Sequence, residues 1–314
     1  MRAGEQLSAI AIGVALAFAG AGTALAQTKQ QIDWCVNTDG SVSPDLQING
    51  CTASIQSGRW SGKNLSWAFS NRGNAHANTG DHDRAIQDYD QAIALDPKLA
   101  PAYTGRGLTY ADKGEHDRAI QDYDQAIKLD PKNALAYTGR GVAYGRKGDH
   151  DRAIADYSEA IRLDARNRAA LGGRANAYIA KSDFERAVAD FNTIIEGSPS
   201  DASALNERCW ARATGRLDLD QAMSDCNESL RLQPDAAPTL DSRGLVYLQL
   251  GRLDEAIADY DAALKLYAKM AGSLFARGMA KLKKADAAGG EADIAAAKAI
   301  QADVAEEFAR YGIE

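Results

Sequence analysis

Arginine and aspartate are the residues of this chain whose types and spacing suggest chemistry. Arg72, Arg106, Arg140, Arg174, Arg208, Arg243 and Arg277 recur at near-constant intervals, and Asp88, Asp122, Asp156, Asp190, Asp225 and Asp259 recur in step with them. Two ionic columns advancing together suggest either a spine for an anionic ligand or a ladder of ion pairs. The ladder is preferred, because each arginine up to Arg243 has one of these aspartates available and the planar guanidinium fork bonds a carboxylate through two nitrogens. Four cysteines form a second signal, in two closely spaced sets: Cys35 with Cys51, and Cys209 with Cys226. No catalytic constellation emerges: the chain has no G-x-S-x-G, no H-E-x-x-H and no phosphate-cradling glycine loop. The sequence is therefore read as that of a non-enzyme without a cofactor.

These columns belong to a repeat. Gly73, Gly107 and Gly141 are spaced by 34 residues, and GDHDRAIQDYDQAIALDPK, GEHDRAIQDYDQAIKLDPK and GDHDRAIADYSEAIRLDAR are near copies. A fixed period in this range marks stacked supersecondary units, each unable to bury its apolar face alone. Within one unit, helical patterns are predicted over 100–113 and 117–129, separated by Gly114. Asp117 is the expected N-cap of the second helix. Asp130-Pro131 ends it, since the residue before proline is pushed out of the helical region. Strand-like alternation is missing throughout, so the fold class is all-α.

The unit resembles the tetratricopeptide repeat. The small residue of its first helix appears as Gly73, Gly107, Gly141, Ala175, Cys209, Gly244 and Gly278. The alanine of its second helix appears as Ala85, Ala119, Ala153, Ala187, Ala222 and Ala256, and its aromatic as Tyr89, Tyr123, Tyr157, Phe191 and Tyr260. Closing prolines stand at 97, 131, 199 and 234, with Ala165 and Ala268 in their place elsewhere. The resemblance implies a right-handed α-solenoid of stacked helix–turn–helix repeats with a C-terminal capping helix. Expected boundaries are a degenerate N-terminal repeat over 27–65, six repeats over 66–270, and a degenerate repeat with the capping helix over 271–314. In the last repeat the turn is placed at Gly289-Gly290, with helices over 291–300 and 303–311. The unit at 202–236 carries one extra residue, around Gly215 to Asp218.

The register gives the cysteines a meaning. Cys209 and Cys226 occupy the small-residue and aromatic columns of one unit, and Cys35 and Cys51 occupy the same columns of the degenerate first one. Four cysteines allow three connectivities, and the register favours Cys35–Cys51 and Cys209–Cys226. Each would close a short loop, worth about 3 kcal/mol in the chain-entropy account. His82, His116 and His150 fall in successive turns. Equivalent atoms of neighbouring repeats lie about 8–10 Å apart, whereas zinc draws its ligands to about 2 Å. They are read as turn and packing residues, and no metal is expected.

In the family that this chain resembles, the first helices line a concave groove that holds ligands. The corresponding positions here are Asn74, Leu108, Val142, Asn176, Trp210 and Leu245, followed one turn later by Ile179 and Leu248. The groove is expected to be polar at its start and apolar toward Trp210, Leu245 and Leu248, suited to the apolar face of a helix or an extended peptide. The alternative is that these side chains pack on a neighbouring repeat or on the C-terminal helix. Some relatives hold acidic tails with a lysine-containing clamp, but the columns that would supply it read Ser70, Thr104, Thr138, Gly172 and Asn206.

A net charge of −7 argues against nucleic acid as a partner. The N-terminus reads as an export signal over 1–26: Arg2, an apolar run from Ala9 to Ala21, then Ala24-Leu25-Ala26. Contact with a membrane is expected only if that segment stays uncleaved. The chain is thus expected in the periplasm, as a scaffold that binds a protein or peptide of the cell envelope. A module holding an envelope glycan or small ligand is the alternative. Intact-mass measurement of the secreted chain should give a mature protein starting at Gln27; a mass that retains residues 1–26 would identify a membrane anchor instead.

Overall fold

The computed structural model describes residues 29–313, so the segment read as an export signal lies outside the described residues. Helices α1 (29–36) and α2 (Pro44–Gln56) form the first pair. A short 3-10 turn (Gly62–Leu65) leads into α3 (Ser66–Asn78) and α4 (His82–Leu95). Then come α5 (Ala100–Asp112) with α6 (His116–Leu129), and α7 (Ala134–Arg146) with α8 (His150–Leu163). The pairs continue as α9 (Arg168–Ala180) with α10 (Phe184–Gly197), and α11 (Ala202–Gly215) with α12 (Leu219–Leu232). They end with α13 (Ala237–Gln249) and α14 (Leu253–Leu266), α15 (Ala271–Lys283) and α16 (Ala287–Ile300), and the single helix α17 (Val304–Arg310). All regular structure among the described residues is helical, in consecutive stacked pairs. The chain divides into two compact units, one ending at Ala143 and the other beginning at Tyr144.

Helix boundaries follow from local chemistry. Helices α4 and α8 are capped by Asp81 and Asp149, whose carboxylates accept from the Arg84 and Arg152 amides. Asp117, expected as the cap of α6, instead lies within its first turn, and Glu115 holds the cap position. An acidic side chain there still opposes the positive helix N-terminus. The chain leaves the first helix of a pair through a residue at positive φ, such as Gly114 at +77°. The final pair departs from the expected turn: Gly289 and Gly290 lie inside α16, and the turn falls earlier, with Ala285 at φ +66°. Gly290 is small because a Cβ there would meet Leu282 at 2.6 Å and the Gly278 carbonyl at 2.8 Å. It serves close helix packing rather than chain reversal.

Buried tyrosines fill the space between pairs. In the first unit, Tyr89 lies between Gly73 of its own pair and Gly105 of the next; a Cβ would approach its ring to 2.9 Å and 2.6 Å respectively. Tyr123 sits likewise between Gly107 and Gly139, at 2.9 Å and 2.5 Å. In the second unit Gly173 accommodates Tyr157 and Gly244 accommodates Tyr260. The glycines therefore form two columns, one for each side of the ring.

The arginine columns knit the pairs together. Arg106 donates Nε and Nη2 to Asp122 at 2.8 and 2.7 Å, and its Nη1 bonds Asp90 of the preceding pair. Arg72 holds Asp88 and reaches back to Thr52, while Arg140 reaches back to Asp124 at 2.5 Å. In the second unit, Arg174 holds Asp190 and bonds Ser158, and Arg208 holds Asp225 and bonds Asn192. Arg243 joins Asp259 to Asn227, and Arg277 joins Asp293 to Asp261. Asp156 is buried on α8. The aspartate that receives the fork is buried in each case, so its charge needs the arginine.

Replacing Arg174 by alanine should lower unfolding free energy by about 3 kcal/mol, the cost of leaving a buried carboxylate unpaired. Urea denaturation reads this directly, and Arg174→Met/Asp190→Leu should recover most of the loss. An unchanged midpoint in the single variant would place the pair among exposed ion pairs of little consequence.

Candidate functional site

In the first unit, the first helices of successive pairs, α3 and α5, pack side by side. Their outward positions carry Asn74 and Leu108, and α7 continues the series with Val142. All three are exposed, and Leu135, seven residues before Val142 on the same face of α7, is more exposed still at 54%. Leu108 and Val142 stand at 37% and 41%. Large apolar side chains this open, on one side of the unit, form a surface that water covers poorly. Asn74 accepts from the Tyr89 hydroxyl through Oδ1 at 2.7 Å. Thr104 accepts from Asn133 Nδ2 at 2.9 Å. At Tyr123 the position corresponding to Asn74 is Leu108, which has no acceptor, and the Tyr123 hydroxyl is buried without a partner. The first unit thus presents open apolar side chains flanked by the exposed Asn74, whose amide nitrogen is able to bond a peptide carbonyl.

The second unit presents the corresponding positions differently. Asn176 is exposed and Trp210 is half-buried, but Leu245 is 1% exposed, and Ile179 and Leu248 are buried as well. The apolar stretch expected as an open groove is therefore covered. Phe308 and Ile313, from α17 and the residues after it, join Leu245, Leu248, Phe275 and Met279 in one buried cluster, with Trp210 and Tyr311 packed against it. Phe308 meets the Phe275 ring at 4.9 Å between centroids, and Tyr311 meets Phe184 edge-on at 6.1 Å. Ile179 and Phe184 lie in an adjoining cluster that Tyr311 and Trp210 also touch. Packing on the C-terminal helix, the alternative that the sequence left open, is what the structure shows for Leu245 and Leu248. The apolar spacing of Val304, Phe308 and Ile313 was the available signal.

Polar residues on the same helices pair with one another. Ser242 donates to Asn206 at 2.8 Å, linking α13 to α11, and Ser273 donates to Asp241 at 2.5 Å, linking α15 to α13. Burial pushes the Asp241 carboxyl up to about 6, although the Ser273 bond opposes the shift. Burial also raises the pKa of the Glu207 carboxyl on α11.

Both cysteine pairs are bonded, Cys35 to Cys51 and Cys209 to Cys226, and all four sulfurs are fully buried. Each bridge ties the two helices of one pair. His82, His116 and His150 were expected in turns, but each is the first residue of the second helix of its pair, with the Nδ1 atoms of His82 and His116 buried. Among the described residues, no group of three or more histidine, cysteine or acidic side chains is placed to hold a metal. No helix among them is long and apolar enough to cross a membrane.

Several family profiles match this chain. One described as "TPR repeat" covers residues 73–114 and 107–148, one described as "Tetratricopeptide repeat" covers 138–202 and 173–237, and a second so described covers 237–269. Among solved structures, the chain is similar to a tetratricopeptide repeat protein from Parabacteroides merdae, with TM-score 0.63 and 19% identity, over 79% of this chain and 99% of that one. It is similar to YrrB, described as a TPR protein with an unusual peptide-binding site, with TM-score 0.53 and 22% identity, over 60% of this chain and 97% of that one. A chain of the APC/C hetero-tetramer Cut9-Hcn1 gives TM-score 0.60 and 17% identity, over 86% of this chain and 52% of that one. At these identities the likeness is one of fold. No curated protein matches in sequence.

Asp241 makes stability depend on pH. Its folded pKa of about 6 lies above the ordinary aspartate value near 3.9. Between those values the folded chain binds more protons than the unfolded one, so stability falls as pH rises from about 4 to 6. Asp241→Asn should remove that slope and raise stability at pH 7 by about 3 kcal/mol, read as thermal midpoints across the pH range.

Proposed function

The chain belongs to the tetratricopeptide repeat family, and from that premise we propose that it is a non-enzymatic scaffold of the cell envelope that binds a protein or peptide. A helical-repeat fold presents a long, preformed face at little ordering cost, which suits it to holding partners rather than to turnover. The observation that carries the reading is the open apolar row Leu108, Leu135 and Val142 beside Asn74 in the first unit. Its chemistry fits an extended or helical peptide that seats aliphatic side chains on the row and bonds its backbone at the polar flank.

Location in the envelope rests on two supports. The N-terminal segment has the form of an export signal. The two bonded cysteine pairs fit an oxidising compartment, where such bridges persist.

In-cell crosslinking followed by affinity capture and mass spectrometry tests the scaffold. The wild type should retain a discrete envelope protein, and Leu108→Asp/Val142→Asp should reduce its capture by roughly tenfold or more, as expected for anchor residues. Equal capture by a folded double variant would move the binding face elsewhere. Capture of nothing, with saturable binding of an envelope oligosaccharide, would favour a glycan-holding module.

A further inference from the structure

Residues 304–313 cover an apolar face of the second unit. Helix α17 has seven residues, too few to be stable alone in water. What holds it is apolar: Val304, Phe308 and Ile313 are 0%, 5% and 5% exposed, and Tyr311 packs against Phe184. No side-chain hydrogen bond or ion pair joins residues 304–313 to α11, α13 or α15 among the described residues. The only side-chain bond in the segment runs to its own approach, from Gln301 Nε2 to Glu307 at 2.7 Å. The cover lies on residues that correspond, repeat by repeat, to the open row of the first unit: Leu245 matches Leu108 and Val142. Its contacts are those of a docked helical ligand: Val304 and Phe308 at i and i+4, Tyr311 at i+7 on the helix C-cap and Ile313 just beyond it are turned inward, while Glu306 and Arg310 are exposed.

We propose that residues 304–313 are a displaceable internal ligand, and that the face they cover is a docking site for a partner helix bearing the same spacing of aromatic and aliphatic anchors. A seven-residue helix has no stability of its own away from the face, so the segment docks and leaves as a unit. A partner helix binds the fraction of molecules in which the segment has left, and its apparent affinity is lowered by that fraction. The inference rests on the reading of the first helices as binding faces, but it concerns the second unit alone.

The test uses the full chain. Phe308→Asp/Ile313→Asp places two charges where the segment would be buried and should expel it. A fluorescent peptide of residues 301–314, followed by anisotropy, should bind this variant saturably and bind the wild type at least roughly tenfold more weakly. The same peptide carrying Phe308→Asp should bind neither protein. Three results would overturn the proposal: no peptide binding by a variant that keeps its far-ultraviolet dichroism and cooperative melting; equal binding by wild type and variant; or loss of cooperative melting in the variant, which would make the segment part of the core. Leu108→Asp/Val142→Asp should leave this peptide binding unchanged, so failure here is distinguishable from failure of the first-unit face.

Discussion

A buried aspartate facing an arginine fork is the constraint on which the stack depends. An unpaired carboxylate in the space between helices would be unstable there. The arginine that neutralises it uses two nitrogens on its own pair and turns the third toward the pair before. A single side chain thus fixes the angle between two helices of one repeat and the register of that repeat against its predecessor. Burial of the aspartates, rather than the number of ion pairs, gives the ladder its weight. The bonds at the helix turns, such as Lys113 with Asp83, involve exposed partners and contribute little.

Packing enforces the same register by a second route. A tyrosine ring between two glycine columns leaves no room for a Cβ on either side. The ionic column and the aromatic column therefore report one spacing. Where the aromatic is replaced by cysteine, at Cys51 and Cys226, a covalent bridge joins the helices in place of the ring. The bridges stand at the pairs that lack the aromatic, which gives the cysteines a structural role.

A stack built this way leaves only the outward positions of its first helices free of structural duty, and the two units use that freedom differently. The first keeps leucine and valine open beside an asparagine, while the second carries Leu245, Phe275 and Met279, which residues 304–313 cover.

The repeat period, the all-helical class and the residues of the ion pairs were legible in the sequence, because each depends on local spacing repeated many times. The period of 34 places Arg106 and Asp122 on facing helices wherever the pattern holds. The second half of each arginine's bonding was not legible. Asp90, Asp124, Ser158, Asn192, Asn227 and Asp261 share a position but not a residue type, and only packing of one pair on the next shows what they accept. Gly289-Gly290 was read as a turn because glycine serves both reversal and close approach, and sequence does not separate the two. Which of the outward apolar positions are open was decided by tertiary structure alone. Leu108 and Leu245 hold equivalent places, yet one is open and the other covered, because the segment that covers Leu245 lies far from it in the chain and reaches it only through folding.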